Sequence, residues 1–224
     1  MRRGRARIEA QTRRPTGRPA FQIAAPPELT PGAGQVVLAL RPGDEAVTRT
    51  SLFPSSIDSR GFATVMPDGC AWIVGDEIDL LGPVGSAFVP PSRARRWLLA
   101  NPEGPADRLL PLLAEGLSRG VELALVTPDP PPELPAPVEL NPGWAEATAW
   151  ADFIAFEIPS GAEPSVYLQE QFRPVGVHGS VQALITLPMP CGIGACSACA
   201  LRLRKGWVLA CRDGTVWEAR DLVG

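Results

Sequence analysis

The most informative run of the chain is Cys191-Gly-Ile-Gly-Ala-Cys196-Ser-Ala-Cys199, which lies near the C-terminal end and is followed by Cys211. The first three cysteines have the spacing C-x4-C-x2-C, and with the later fourth cysteine they form the plant-type pattern that holds a [2Fe–2S] cluster. Small residues between the first two cysteines allow backbone N–H groups to approach the sulfur atoms, and such contacts tune the reduction potential. The pattern therefore predicts a [2Fe–2S] cluster with four ligands: Cys191, Cys196, Cys199 and Cys211.

Two other kinds of site also use several cysteines. A structural zinc site usually has two short C-x2–4-C pairs, and here only Cys196 and Cys199 form one. A disulfide framework needs an oxidising compartment, whereas residues 1–19 are rich in arginine and lack the apolar run of a signal peptide. We therefore rank a cluster above zinc and zinc above disulfides, and we expect a cytoplasmic location. Cys70 is far from the other four in the sequence, and its expected role is that of a small buried side chain.

The composition limits the remaining chemistry. The chain has 224 residues, of which 45% are hydrophobic, and this is enough for a core in one large domain or two small ones. A formal net charge of −3 gives no footprint for nucleic-acid binding, and no apolar run is long enough to predict a membrane span. The single histidine, His178, excludes a site with several histidine ligands. Redox chemistry in this chain must therefore come from bound cofactors.

The pattern of turns and apolar runs divides the chain into four parts. Residues 1–20 are basic and poor in large apolar side chains, which predicts a flexible tail. Residues 21–91 read as short strands, residues 92–180 mix strands with helices, and residues 181–224 contain the cysteines. We therefore predict a multi-domain α+β protein, with a small β-barrel, an α/β domain of nucleotide-binding type and a C-terminal [2Fe–2S] module.

The second part is punctuated by glycine and proline, which is typical of a small barrel or sandwich. Gln35–Leu40 and Asp76–Leu81 are predicted strands. Phe62–Met66 and Ala71–Val74 flank the turn at Pro67–Gly69, and this arrangement predicts a hairpin.

A strand–helix–strand unit opens the third part. Arg96–Ala100 and Val121–Val126 are predicted parallel strands, and Ala106–Arg119 between them is apolar at a helical period, with Pro111 expected in the first turn. The turn after the first strand, Asn101-Pro-Glu-Gly104, has one glycine and an acidic residue where a phosphate-binding turn needs several glycines. The sequence therefore argues against dinucleotide binding at this turn.

Further elements are predicted downstream. The proline-rich residues 127–142 are expected to be an exposed linker, and residues 159–179 are expected to be a loop. A short helix is predicted over Ala145–Ala151. The predicted strands are Asp152–Ile158, Ala200–Lys205, Gly206–Cys211 and Thr215–Trp217, and Val181–Leu187 is an apolar run before the cysteines. The strands on either side of Gly206 pair as a hairpin, so that Cys211 is expected at the end of a strand.

Three further runs carry a resemblance to a known family. They are Val208-Leu-Ala-Cys211-Arg-Asp-Gly214-Thr-Val-Trp-Glu-Ala-Arg-Asp221, which extends the cysteine run, and upstream Pro31-Gly-Ala-Gly-Gln-Val-Val37 and Val74-Gly-Asp-Glu-Ile-Asp-Leu-Leu-Gly-Pro-Val-Gly-Ser-Ala-Phe88. From about residue 21 to its end the chain resembles the electron-transfer subunit of dihydroorotate dehydrogenase. The resemblance implies a β-barrel that binds FAD, an α/β domain that binds NAD, and a [2Fe–2S] module that passes electrons to a flavin-containing catalytic dehydrogenase subunit.

The resemblance also implies flavin contacts, at Pro54, Ser55, Ser56, Gly69 and Cys70. The family's flavin motif is Arg-Pro-x-Ser, and the matching run Leu52-Phe-Pro-Ser-Ser-Ile57 lacks the arginine that pairs with the pyrophosphate, for which Arg49 is a nearby substitute. The family's Gly-Thr turn is replaced by Gly69-Cys70, and its Cys-Gly-Pro, which faces the nicotinamide, by Phe156-Glu-Ile-Pro159. The four cluster cysteines thus match the family's pattern in full. The departures from its flavin motifs weaken the prediction of FAD, and the departures from its nicotinamide motifs weaken the prediction of NAD further.

Three functions are compatible with these patterns. The first is an electron-transfer subunit of an oxidoreductase, in a hetero-oligomer with a flavin-containing dehydrogenase, and its link to pyrimidine synthesis rests on the resemblance alone. The second is a stand-alone NAD(P)H-dependent flavoprotein reductase, which the domain order favours. The third is a non-redox binding protein with structural zinc on the four cysteines. In the first function, Trp207 and a basic strand face at Arg202, Arg204 and Lys205 are candidates for the partner contact.

Overall fold

The structure is a computed structural model that describes residues 2–13, 18–43, 48–67, 69–131, 133–175 and 177–222. Parts of the predicted tail (residues 1 and 14–17), of the hairpin turn (residue 68), of the linker (residue 132) and of the loop (residue 176) lie outside these ranges. The strands are β1 Arg2–Arg13, β2 Pro19–Ala24, β3 Val36–Leu40, β4 Thr50–Leu52, β5 Ser56–Asp58, β6 Gly61–Val65, β7 Glu77–Val84, β8 Arg96–Ala100, β9 Glu122–Val126, β10 Val138–Leu140, β11 Phe153–Ile158, β12 Ser180–Ile185, β13 Ala200–Leu203, β14 Gly206–Leu209 and β15 Val216–Glu218. The helices are α1 Leu110–Ser118, α2 Trp144–Trp150, α3 Pro164–Phe172, α4 Ala210–Asp213 and α5 Ala219–Leu222, with short 3-10 turns at Pro27–Leu29 and Asp107–Leu109.

The contacts divide the chain into two compact units that alternate along the sequence. The first unit comprises Met1–Ala87, Leu187–Ala200 and Leu209–Thr215. The second comprises Phe88–Thr186, Leu201–Val208 and Val216–Gly224. The residues of the predicted C-terminal part (181–224) are distributed over both units, and its status as a separate module stays a prediction.

The first unit is built on a seven-stranded antiparallel sheet with the strand order β4-β3-β7-β1-β2-β6-β5. Alternate residues of its strands face a common core, as the period of two along a strand requires. Residues buried in this core come from six strands and include Ile8, Phe21, Ile23, Val37, Leu52, Phe62, Ile78 and Leu80. Apolar burial on this scale is the main stabilising term for a sheet of short strands.

The predicted flexible tail is wrong for residues 2–13, which form β1 between β2 and β7. In the run Arg5-Ala-Arg-Ile-Glu9, Ala6 and Ile8 are buried and the charged residues are exposed. The sequence therefore has the alternation of a strand, which its high arginine content conceals. Arg3 also forms an ion pair with Asp79 of β7, with 2.8 Å between the charged atoms.

The predicted hairpin partner over Ala71–Val74 is also wrong, because these residues form no strand. Trp72 is buried in the core, but Ile73 and Val74 are exposed, so the run does not continue as a sheet strand. The backbone N–H of Ile73 donates to Asp76 Oδ2 at 2.9 Å, and this turn redirects the chain into β7.

The second unit contains a six-stranded sheet with the order β10-β9-β8-β11-β12-β15, parallel except for the last strand. The predicted strand–helix–strand unit is confirmed: β8 and β9 are parallel, and α1 lies between them in the sequence with Pro111 in its first turn. Every residue of β11 is buried, as expected for a central strand of a parallel sheet.

Two expectations for this unit are corrected. The predicted loop at residues 159–179 contains α3, whose first turn is capped by Glu163: its carboxylate accepts the N–H of Val166 at 2.8 Å. The predicted linker contains the short strand β10, which pairs with β9. In the part of the chain that the structure describes, no helix is long and apolar enough to cross a membrane.

A substitution in β1 tests whether the arginine-rich terminus is part of the core. Replacing the fully buried Ile8 with alanine (Ile8→Ala) should lower the free energy of unfolding by about 2–5 kcal/mol, because it removes buried methyl groups and leaves a cavity. Urea unfolding measures this loss. Gln11→Ala, at an exposed position of the same strand, is the control and should have little effect. Equal stability of the two variants would contradict the placement of β1 in the sheet.

Candidate metal centre

The four predicted ligands all lie in the first unit and form two pairs. Cys191, Cys196 and Cys199 belong to the loop between β12 and β13, which we term the cysteine loop (residues 187–199), and Cys211 lies in α4. The Sγ atoms of Cys191 and Cys196 are 3.2 Å apart, and those of Cys199 and Cys211 are 3.3 Å apart. The structure thus pairs Cys191 with Cys196 and Cys199 with Cys211.

The two pairs differ in their exposure to solvent. Cys199 and Cys211 are buried, at 1% and 5% exposure. Cys191 is half-buried and Cys196 is exposed. One side of the candidate centre therefore faces the interior and the other faces the solvent.

Backbone N–H groups of the cysteine loop point at the sulfur atoms, as its small residues predicted. The pKa of Cys191 is lowered to about 6, first by a hydrogen bond from the N–H of Ile193 and further by the N–H groups of Cys196 and Ala195. Burial raises the pKa of Cys211 to about 11, and a hydrogen bond from the N–H of Gly194 partly opposes this rise. The loop backbone thus stabilises negative charge on sulfur, and the thiolate is the form of cysteine that binds a metal.

Glycine is required at two points of the loop. Gly192 has φ +67°, and a Cβ there would stand 2.2 Å from Cδ1 of the buried Leu38 in β3. Gly194 has φ +77°, and a Cβ there would stand 3.2 Å from Leu209. Both backbone conformations favour glycine, and at Gly192 the close approach to the sheet adds a second reason.

The position of Cys211 corrects the prediction that it ends a strand. The strand β14 ends at Leu209, and the chain then turns into α4. The turn is held by the carboxylate of Asp213, which accepts the N–H of Leu209 at 2.7 Å, and by the N–H of Ala210, which donates to the carbonyl of Cys199 at 3.0 Å. The helical turn places Cys211 beside Cys199.

The segment after α4 is fixed to the first unit by a threonine. Thr215 is fully buried, and its hydroxyl lies 2.7 Å from the carbonyl oxygen of Gly34 and 3.1 Å from that of Ser86. Gly85 approaches this side chain so closely that a Cβ would stand 2.3 Å from the threonine hydroxyl oxygen. A cavity of about 290 Å³ lies nearby, lined by Pro83, Val84, Gly85, Gly192, Ile193, Cys211 and Arg212.

The donor set fits a two-iron cluster. Four thiolates bind such a cluster, two on each iron, and the structure has two pairs of cysteine sulfurs. A single tetrahedral zinc ion would instead bring all four sulfurs within about 3.8 Å of one another. Among the described residues, no three His, Cys, Asp or Glu side chains gather in the way that one metal ion needs. The residues present therefore fit the pairwise ligation of a [2Fe–2S] cluster.

The expected flavin contacts fall in two places of the first unit. Pro54 is buried and Ser55 is half-buried, whereas Ser56 is exposed in β5, which pairs with β6. Gly69 is exposed with φ +79°, and Cys70 is partly buried against the core. The flavin roles of these five residues stay predictions.

The suggested arginine substitute is already engaged. Arg49 donates to the carboxylate of Asp79 at 2.9 Å and to its backbone carbonyl at 3.1 Å, and the Arg49 side chain is only 16% exposed. The pKa of Asp79 is lowered, first by its hydrogen bond from Arg3 and further by Arg49. Arg49 therefore links neighbouring strands of the sheet through Asp79, and its suggested role at a pyrophosphate stays a prediction.

The carboxyl ends of β8 and β11 are where open α/β sheets bind dinucleotides, and here polar groups of the chain near these ends bond to one another. Arg108 forms an ion pair with the buried Glu157 at 2.5 Å and donates to Thr186 at 3.2 Å. Burial raises the pKa of Glu157, and Arg108 opposes this rise. The hydroxyl of Tyr167 donates to Glu103 at 2.6 Å, in the turn that follows β8. Burial and the charge of Glu103 both raise the pKa of Tyr167.

The Arg108–Glu157 pair was not predicted from the sequence. Its one visible signal was the acidic residue inside the otherwise apolar strand β11. A glutamate at such a position needs a cation for a partner when it is buried. The partner comes from the turn before α1, which lies 49 positions away in the sequence.

The glycine requirement of the cysteine loop gives a prediction. Gly192→Ala should lower both the free energy of unfolding and the iron content, because the new methyl group overlaps Leu38 and the backbone conformation is strained. Gly120→Ala is the matched control: Gly120 has φ +65° with no atom within 4 Å of a Cβ, so it reports only the backbone strain, about 1 kcal/mol. Iron analysis and urea unfolding measure both effects. Equal losses in the two variants would show that the contact with β3 is unimportant.

Comparisons with known proteins agree with this centre and this fold. The family model of the iron–sulfur cluster binding domain of dihydroorotate dehydrogenase B matches residues 188–223, which include all four cysteines. A search of the curated proteins finds no match.

Solved structures resemble the whole fold. The NADH-dependent reduced ferredoxin–NADP oxidoreductase, studied for flavin-based electron bifurcation, has a TM-score of 0.70 at 18% identity, over 96% of this chain and 88% of its own. The ferredoxin reductase of carbazole 1,9a-dioxygenase has a TM-score of 0.62 at 12% identity, over 79% and 66%. Phthalate dioxygenase reductase, a modular protein for electron transfer from pyridine nucleotides to [2Fe–2S], has a TM-score of 0.60 at 12% identity, over 93% and 94%. At these identities the likeness concerns the fold. Residues 188–223 therefore match the iron–sulfur cluster binding domain family of dihydroorotate dehydrogenase B, and the chain shares its fold with the ferredoxin reductases, which bears out the predicted family over that segment and confirms the predicted fold class.

Proposed function

We propose that this chain is the electron-transfer subunit of an oxidoreductase and holds a [2Fe–2S] cluster on Cys191, Cys196, Cys199 and Cys211. The observation that carries the proposal is the arrangement of these four cysteines in two pairs, with backbone N–H groups of the cysteine loop directed at the sulfur atoms of Cys191 and Cys211. When bound, such a cluster takes up and releases one electron at a time. The family match at residues 188–223 supports a catalytic dehydrogenase subunit of the dihydroorotate dehydrogenase type as the partner, in a hetero-oligomer.

The chain's own residues have separate tasks in this function. The buried pair, Cys199 and Cys211, anchors the centre inside the first unit. The N–H groups of the cysteine loop offset negative charge on the sulfurs, which favours the reduced state. The exposed side, at Cys196, gives a redox partner access to the centre.

The second unit supports a relay without its own nucleotide site. The ion pair of Arg108 with Glu157 and the hydrogen bond of Tyr167 to Glu103 occupy the edge of the sheet at which a nicotinamide nucleotide would bind. Arg49, the available cation near the flavin motif, is engaged by Asp79. We therefore assign the four-cysteine centre as the resident redox group, and the electron donor as another redox centre rather than a nucleotide bound by this chain.

A series of single cysteine substitutions tests the ligand set. Serine at position 191, 196, 199 or 211 should abolish or strongly reduce the iron and acid-labile sulfide bound by the anaerobically purified chain, because a two-iron cluster needs all four thiolates. Cys70→Ser is the matched control and should keep wild-type iron and sulfide, since Cys70 packs against the core of the sheet and is not one of the four proposed ligands. Zinc without sulfide in the wild-type protein would reject the cluster in favour of the structural zinc site.

The route of the electrons is tested by the choice of reductant. Dithionite should bleach the visible absorbance of the purified chain, whereas NADH and NADPH should neither bleach it nor bind in calorimetric titrations, because the nucleotide edge is filled. Acid precipitation should leave a colourless supernatant if no flavin is bound. Rapid bleaching by NADH, with yellow flavin in the supernatant, would instead establish the stand-alone flavoprotein reductase.

A further inference from the structure

The hairpin between two of the cluster cysteines carries an exposed aromatic side chain. The strands β13 and β14 are joined by a turn at residues 204–205, and Trp207 in the second strand is 70% exposed. An indole is a large apolar surface, and its burial against another molecule yields a correspondingly large gain in binding. We use the name hairpin surface for four residues: Arg202, Arg204, Lys205 and Trp207.

The three cations of the hairpin surface are exposed, and among the described residues none of them has a carboxylate partner. Other arginines of the chain are engaged by carboxylates, for example Arg96, which forms an ion pair with Asp152 at 2.6 Å. The positive charge of the hairpin surface is therefore available to a ligand. It also stands out on a chain whose formal net charge is −3.

Beside the hairpin surface lies a groove of about 570 Å³ within the second unit. Its opposite wall includes Glu163 and Ser165 at the start of α3, and Leu222 of α5. The carboxylate of Glu163 accepts the N–H of Val166 at 2.8 Å and the hydroxyl of Ser165 at 2.9 Å, so it is engaged in capping α3. The hairpin turn is held in place by the N–H of Arg204, which donates to the carbonyl of Asp221 at 3.0 Å.

We propose that the hairpin surface is the docking site for a one-electron carrier protein with an acidic surface, an inference that rests on the proposed function. All four residues lie in the segment between Cys199 and Cys211, so the surface is built into the chain that forms the cluster site. Tryptophan and arginine are the residue types that most often dominate binding energy at protein interfaces. Three exposed cations attract an acidic partner from a distance and orient it on arrival.

A protein fits this surface better than a nucleic acid does. A nucleic-acid site follows the phosphate backbone with a long row of cations. The hairpin surface has three cations beside one exposed indole ring. The compact arrangement matches the small, charge-guided contacts of transient redox complexes.

The test uses the cluster-loaded chain and an acidic plant-type [2Fe–2S] ferredoxin as the probe. The dissociation constant is measured at low and high salt, and the rate of electron exchange is followed by anaerobic stopped-flow absorbance. Trp207→Ala should weaken binding about tenfold or more. The triple variant R202E/R204E/K205E should weaken it at least as much and abolish the salt dependence. The matched control, R93E/R95E/R173E, makes the same change in net charge at exposed arginines outside the hairpin and should stay within about twofold of wild type.

Each variant is first checked for wild-type iron, sulfide and visible spectrum, so that loss of the cluster is separated from loss of docking. A wild-type chain without a cluster would overturn the proposed function itself. With the cluster intact, wild-type affinity in both hairpin variants, or no binding of the ferredoxin by the wild-type chain, would overturn the docking site. Tighter, salt-dependent binding of single-stranded oligo(dT) than of the ferredoxin would overturn it in favour of a nucleic-acid surface.

Discussion

The close approach of the cysteine loop to the sheet is the constraint on which the candidate centre depends. At Gly192 the backbone lies against Leu38 of β3 at a distance that leaves no room for a side chain. Because the loop lies this close to the sheet, Cys199 is buried. Backbone N–H groups of the loop are directed at the sulfur atom of Cys191. Thr215, which bonds to Gly34 and Ser86, holds the other end of the site against the same unit. The four sulfurs are thus positioned by the packing of the first unit and not by the loop alone.

The sequence predicted the parts of this protein that depend on short-range rules. The spacing of the cysteines is fixed by the geometry of the group they hold, and the glycines between them indicated N–H groups near sulfur. The parallel strands β8 and β9, and Pro111 in the first turn of α1, followed from local patterns as well. These features require only information about neighbouring residues.

The remaining features depend on contacts between distant segments or on conflicting signals. The strand β1 was not predicted because arginines surround its two buried residues, Ala6 and Ile8. The alternation of these residues forms a strand because β1 pairs with β2 on one side and β7 on the other. The helix α3 was hidden by the glycine and proline content of its region, although Glu163 before Pro164 is a usable start signal. The pairing of Arg108 with Glu157 joins residues that no local pattern connects.

The unequal exposure of the two cysteine pairs has a consequence for the life of the centre in the cell. Cys199 and Cys211 are closed off from solvent, whereas Cys196 is open to it. Oxygen, chelators and free metal ions would therefore reach a group bound here from the side of Cys196. A molecule that covered this side would shield the group from all of them.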